Sequence, residues 1–397
     1  MSTWSPLIAV TRSAPVVTWG FSPLDRELGL LPGMQLLPLF HEALVRLSGW
    51  MPFARAAELL GATLKVTVSK ATAERQTLVA GRALVEAETK ATEWLIADLP
   101  EPTAAGVAHQ QISVDGAFVP LIKEWAEVKT MAIGTLLPGK DGLPKAKDLS
   151  YFSRMTDHQT FGRLATLETY RRATDKAAKV TAVVDGADWI QEFLDLQCQR
   201  AVRVIDWGHS SAYITRASQA CFTDVGQAAD WRGSQLNELL HGDPQEVLIE
   251  LCQKLTACTV GSDQEAVVST SLGYLARRLD QVQYRDFRAA GLPIGSGIVE
   301  SANKVVVEAR LKGAGMRWKR PNVDPMLALR NAICSGTRWS DSWHQLERYR
   351  LRTAAEHAHT AHLDRQPAFP PPPAKPARRR PSFRNFSLRP VNRRAKR

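Results

Sequence analysis

The stretch QQISVDGAFVPL, residues 110–121, is a β-branched run interrupted by Asp115 and Gly116. The same design returns in KVTAVVDGADWI, residues 179–190, at Asp185 and Gly186. Runs rich in Val and Ile, bounded by Gly and Asp, predict strands. Each Asp is expected at a strand end, with the Gly letting the chain turn sharply. Outward from these words, residues 125–137 predict a second strand, joined to the first by a tight turn near Lys123 and Glu124. Residues 157–178 suit a helix, 180–184 a short apolar strand, 201–205 another strand, and 209–220 a helix. A further helix is expected to begin at Asp188. Strands alternating with helices after an opening hairpin predict a mixed α/β sheet. Residues 225–286 lose strand character and predict a helical insertion.

A third acid follows in GLPIGSGIVESANKVVVEARLKGAGMRW, residues 291–318, where Glu300 opens a helix behind the Gly295-Ser296-Gly297 turn. Parallel neighbouring strands would bring Asp115 and Asp185 together, and their repulsion makes such a pair avid for cations. Hard carboxylate oxygens suit Mg²⁺. Two such ions, about 3.5–4 Å apart, can activate a nucleophile and stabilise a leaving oxygen at phosphorus. The three carboxylates are therefore expected to converge within about 4–6 Å of one another. Asp188 and Glu308 compete for the second and third places. Asp206 also ends an apolar run, in VIDWGH, residues 204–209, and is an alternative second ligand beside His209.

The N-terminal part has a different period. Residues 36–89 are rich in Ala, Leu, Glu and Arg at helical spacing. A short helix is expected over 53–60 with Gly61 as its stop, and a second over 68–79 opening at Ser69. This pair suits a helix-turn-helix. Its second helix offers Ser69, Lys70, Arg75 and Gln76 to phosphates and base edges. After Glu300, Arg310, Lys312, Arg317, Trp318, Lys319 and Arg320 make a basic run with an aromatic that can stack on a base.

At 397 residues with 44% apolar content, the chain is long enough for two or three domains with cores of their own. No apolar run approaches the roughly 20 residues needed to span a bilayer. With no basic-then-apolar leader at the start, a cytoplasmic location is expected. The five scattered cysteines predict reduced thiols. Ten of the eleven net positive charges fall in residues 371–397, a Pro-rich tail expected to be disordered and to attract phosphate.

Together these residues resemble bacterial insertion-sequence transposases of the Kra-type group, distant relatives of the Mutator-like elements. The 291–318 stretch carries most of the likeness, joined by ELGLLPG (27–33), EALVRLSGWMPFARAAELL (42–60) and VDGADWI (184–190). The resemblance spans residues 21–339 and leaves out the tail. It implies a ribonuclease H-like mixed sheet core with a helical insertion, preceded by an all-α region. It also implies a catalytic and metal-binding set of Asp115, Asp185 and Glu300 with two Mg²⁺ ions, Mn²⁺ substituting. Asp206 and His209 match an acid-x-x-His motif found after the second acid. The partners implied are terminal inverted repeats and target DNA, with a homo-oligomer assembling on them. The chain starts close to ELGLLPG, so the N-terminus is expected to be shorter than in these relatives.

The resulting plan is an irregular segment over 1–34 and helix-turn-helix-like DNA binding over 35–100. A catalytic core follows over 105–224 and 291–345, with the insertion at 225–290 and the tail at 346–397. The function expected is Mg²⁺-dependent cleavage and strand transfer at the element's own ends. The alternatives are a decayed or domesticated repeat-binding protein and a plain ribonuclease H-like nuclease.

Overall fold

The computed structural model describes residues 36–98, 100–139, 144–336 and 338–363. The irregular 1–34 segment, ELGLLPG and the basic stretch 371–397 lie outside the described residues. The chain divides into two units, Met1–Leu351 and Arg352–Arg397. The first carries the whole sheet. The second opens within the last helix, Arg338–Leu363, so residues 346–363 are helical where a disordered tail was expected.

Three helices come first: α1 (Pro38–Trp50), α2 (Phe53–Leu64) and α3 (Lys70–Asp98). Five strands follow, β1 (His109–Pro120), β2 (Trp125–Pro138), β3 (Pro144–Arg154), β4 (Lys179–Val184) and β5 (Val202–Ile205). Helix α4 (His158–Arg171) precedes β4, α5 (Asp188–Gln197) precedes β5, and α6 (Trp207–Cys221) follows it. The strands form one mixed sheet in the order β3-β2-β1-β4-β5. β1 is antiparallel to β2, and β4 is parallel to both β1 and β5. The expected hairpin, both short strands and the mixed sheet are present. The edge strand β3 was not anticipated.

Side-chain alternation along β1 sorts its residues into two layers. Ile112 and Val114 pack on one face with Phe161 of α4 and Ile190, Phe193 and Leu194 of α5. Ala117 and Val119 point to the other, against Val299 and Ala302 of α11 (Gly297–Ala302) and Met326 and Leu327 of α12 (Val323–Cys334). Complete burial of a side chain such as Phe161 contributes roughly 2–3 kcal/mol. The insertion is helical as expected, with α7 (Val225–His241), α8 (Pro244–Thr256), α9 (Asp263–Ala276) and α10 (Tyr284–Ala289). Its Val247, Leu251 and Leu275 pack on Ile205 and Val183 at the β5 side of the sheet.

The N-terminal helices depart from the expected pair. α2 continues through Gly61 and ends at Lys65, in the left-handed region at φ 57°. α3 is one helix of 29 residues, and its middle is interior: Leu78, Ala80, Gly81, Leu84, Ala87 and Glu88 are all buried. Gly81 is what lets α3 approach α12, because a Cβ there would meet the Pro325 carbonyl oxygen at 2.4 Å. α3 is thus a structural spine as well as a surface helix. Two buried arginines tie α1 to the rest. Arg310 Nε donates to the Ser48 carbonyl at 2.9 Å and Arg330 Nη1 to the Gly49 carbonyl at 3.1 Å. Cations at the last carbonyls of a helix also complement its dipole.

His41 of α1 is 1% exposed and packs against Trp343, with ring centroids 5.4 Å apart. Burial, with Arg350 nearby, lowers its pKa from 6.5 to about 4. The folded state therefore keeps the ring neutral, while the unfolded chain takes up a proton below pH 6.5. Stability from this group is complete above that pH and is lost as pH falls toward 4. Urea unfolding should show a loss of about 2–3 kcal/mol between pH 7 and 4.5 that His41→Phe removes. An unchanged acid slope in His41→Phe would assign the loss to other groups.

Candidate active site

Asp115 sits within β1, paired with Thr130 of β2, and Gly116 continues the strand opposite Lys129. The expected turn at Asp115-Gly116 is absent: β1 runs straight through it because β2 supplies partners on both sides. Asp185-Gly186 does end its strand, with Gly186 at φ +81°. β1 and β4 are parallel with Ile112 opposite Ala182. Three residues further along each strand, Asp115 and Asp185 come to the same level. Asp115 shares its face with Ala117 and Val119, the side on which α11 carries Glu300.

The three acids are linked electrostatically. Burial raises the Asp115 pKa, and the charges of Asp185 and Glu300 raise it further. The neighbouring His209 and the Gly116 amide act in the opposite direction. The expected convergence is not met, however. Among the described residues, no three His, Cys, Asp or Glu side chains form a group able to hold a metal ion. Each strand carboxylate has a local commitment instead. Asn303 Nδ2 donates to Asp115 Oδ2 at 2.9 Å, and Asp185 Oδ1 accepts the Ala187 amide at 2.8 Å. All three side chains are carboxylates, the donor type a hard divalent cation takes.

Asp206 has a different task. It is 5% exposed and caps α6, accepting the His209 amide at 3.1 Å and, on Oδ2, the Ser296 amide at 2.7 Å. Burial pushes its pKa up, yet the hydrogen bonds from His209 and Ser296 prevail and hold it at about 2. Both oxygens are spent on joining α6 to the Gly-rich turn that leads into Glu300. His209 Nδ1 lies 3.3 Å from Asp206, which raises its pKa, and Asp185 and Asp115 add to that effect. Its side chain is half exposed. Of the other competitors, Asp188 pairs with Arg278 at 2.7 Å and Glu308 with Lys312 at 2.7 Å.

The residues that brace the acids were not evident in the sequence. After α11, residues Asn303–Glu308 form a π-helical stretch before the last turn, Ala309–Leu311. The wider π turn leaves carbonyls to satisfy, and the Arg330 guanidinium donates to those of Val305 and Val306. Asn303, 7% exposed, lies one turn beyond Glu300 and so binds the third acid's helix to the first acid. From the insertion, the Tyr274 hydroxyl donates to the Asp185 carbonyl and its ring stacks on Tyr213 at 3.9 Å. If Asp115 is a metal ligand, removing the orienting amide by Asn303→Ala should weaken Mg²⁺ binding about 10–100-fold in a titration of the purified protein, as losing a ligand's hydrogen-bond partner does. Unchanged Mg²⁺ binding would reduce Asn303 to packing.

The expected nucleic-acid contacts divide. Lys70, Arg75, Arg317, Lys319 and Arg320 are exposed. Lys312 is half-buried in its ion pair with Glu308. Ser69 is exposed but its hydroxyl accepts the Thr72 amide at 3.1 Å as a helix cap. Gln76, Arg310 and Trp318 are buried at 3%, 2% and 7% exposure, so they are interior residues and not contact residues. Arg310 lies against the rings of Phe53 and Trp318, and Trp318 Nε1 donates to the Leu311 carbonyl at 3.0 Å. Cys198, Cys221, Cys252, Cys258 and Cys334 are all free thiols. No described helix is long and apolar enough to cross a membrane. Compared with known proteins, the chain matches no family model and no curated sequence.

Proposed function

We propose that this chain cuts and joins DNA as the transposase of a bacterial insertion sequence, on a ribonuclease H-like core and in the cytoplasm. One observation carries this reading: the charges of Asp185, just past the end of β4, and of Glu300 on α11, more than a hundred residues later, both act on Asp115 of the neighbouring parallel strand β1. The strand order β3-β2-β1-β4-β5, antiparallel then parallel, supports the core assignment. Asp115, Asp185 and Glu300 would hold the divalent ions. Mg²⁺, when bound there, supplies activation of the attacking oxygen and stabilisation of the leaving one. The protein's own part is to present and orient. Asn303 fixes the Asp115 carboxyl, Tyr274 holds the Asp185 loop, and Asp206 fastens the turn before Glu300 to α6. His209, its pKa raised by Asp206, lies near the charges of Asp185 and Asp115. Exposed Lys70 and Arg75, with the basic residues after Glu300, suit phosphates of terminal repeats and target DNA. Two copies of the chain, one at each end of an element, are the expected assembly.

The test is a plasmid carrying the coding sequence with its native flanking DNA, incubated with purified protein. Breaks at the element's boundaries and joined products, dependent on Mg²⁺ or Mn²⁺ and abolished by chelation, are expected. Breaks without joining would indicate a plain nuclease. One rival is a copy that binds repeats without cutting. That rival predicts repeat binding and no breaks at any Mg²⁺ concentration.

A further inference from the structure

The burial of Trp318 rearranges the basic segment around it. The Trp318 amide donates to the Pro120 carbonyl at 3.0 Å, and the Ile122 amide to the Trp318 carbonyl at 3.1 Å. The segment is thereby added alongside the tip of the β1–β2 hairpin, bridged in parallel at Leu121. With Trp318 turned inward, its neighbours Arg317 and Lys319 are exposed. The aromatic they accompany is Trp125, at the start of β2 and 58% exposed, with the Arg317 guanidinium 5.8 Å from its ring centroid. Ile122 and Phe118, 57% and 56% exposed, extend the same surface.

We infer that the hairpin tip is a stacking platform for unpaired nucleotides of a DNA strand, the base lying on Trp125 and its phosphates on Arg317 and Lys319. The inference rests on the DNA-joining function proposed above and names the kind of DNA it handles. Large exposed aromatics suit many partners; the charge decides among them. Around the tip and the apposed segment, Lys123, Arg317, Lys319 and Arg320 outnumber two acids, Glu124, paired with Arg320 at 2.8 Å, and Glu127, opposite Phe118 and paired with Lys129 at 2.6 Å. An aromatic face ringed by cations matches single-stranded nucleic acid, whose bases stack without regard to sequence. Position adds a second constraint. Asp115 faces the α11 side of β1, whereas Phe118, and Trp125 opposite Pro120, leave from the other face. Five residues of strand separate Trp125 from Thr130, the partner of Asp115, or about 17 Å at 3.3–3.4 Å per residue. The platform thus lies away from Asp115. The strand it suits is the separated complement of the one whose phosphate meets the acids.

Fluorescence anisotropy with two labelled probes tests this, a blunt terminal-end duplex and the same duplex with a short single-stranded tail. The parent chain should prefer the tailed probe. Trp125→Ala should lower affinity for it on the order of tenfold and leave blunt binding unchanged. Trp125→Phe, which keeps a ring, should retain most of the preference. Arg317→Ala should reduce the salt slope on the tailed probe by about one. Equal binding of both probes by the parent, or no change in Trp125→Ala, overturns the platform even if the parent cuts DNA. Weakened tailed binding in Trp125→Ala by a chain that never cuts DNA would uphold the platform and remove the proposed function. A concentration-dependent mass increase abolished by Trp125→Ala, with DNA binding unaltered, would make this face a contact between copies and overturn the proposal.

Discussion

Glu300→Gln is expected to lower cleavage of terminal-end DNA about a thousand-fold or more while leaving folding and DNA binding intact. The substitution keeps shape and hydrogen-bonding capacity and removes the charge that draws a divalent cation. Glu300 is exposed on α11, so its change has little packing to disturb. Glu308→Gln is the matched control. That residue faces Lys312 at 2.7 Å with its side chain 39% exposed, and such pairs are worth little. Cleavage by Glu308→Gln should stay near the parent level. Mn²⁺, which tolerates imperfect coordination better, should rescue a weakened site more than Mg²⁺ does. Full activity in Glu300→Gln would remove Glu300 from the metal set.

The second large effect falls on stability. Arg154 of β3 is 2% exposed and its guanidinium pairs with Glu88 of α3, itself 7% exposed. Without that guanidinium, Glu88 would keep, among the described residues, a longer contact to Arg171 at 3.8 Å and the more distant charge of Arg338. Arg154→Met should therefore leave a buried carboxylate nearly unpaired and destabilise the fold by roughly 3–5 kcal/mol. The double change Arg154→Met with Glu88→Leu should recover much of that, because the loss comes from the stranded charge. Denaturant unfolding of both variants separates the two contributions. Equal destabilisation by the single and double changes would mean that packing, and not the charge pair, holds α3 to the sheet.

The hairpin, β4, β5 and the helical insertion were legible because their signals are local: β-branched runs, an Asp-Gly word at a true strand end, and helical periodicity without strand character. Strand β3 was not, since PKAKDLSYFSR (Pro144–Arg154) opens with charges that only an edge position beside β2 accommodates. The repeated Asp-Gly word misled in one place. Gly186 turns the chain, but Gly116 lies mid-strand, and nothing local distinguishes the two. The expected second helix covered only 68–79, whereas α3 runs on to Asp98 through Gly81, where it packs closely against α12. Trp318 read as a surface aromatic because cations flank it. Its burial comes from pairing with a hairpin almost two hundred residues earlier. Asn303 carries no sequence signal of its own. Its importance depends on the π stretch and on a contact to Asp115 that spans 188 positions.

Anomalous scattering from crystals of the full chain soaked in Mn²⁺ tests the assignment of the acids most directly. Ions bound by Asp115, Asp185 and Glu300, with Asp206 remaining on the Ser296 amide, are the expected result. Mn²⁺ held by Asp206 in place of Asp185, or no ion at these acids at saturating Mn²⁺, would contradict it.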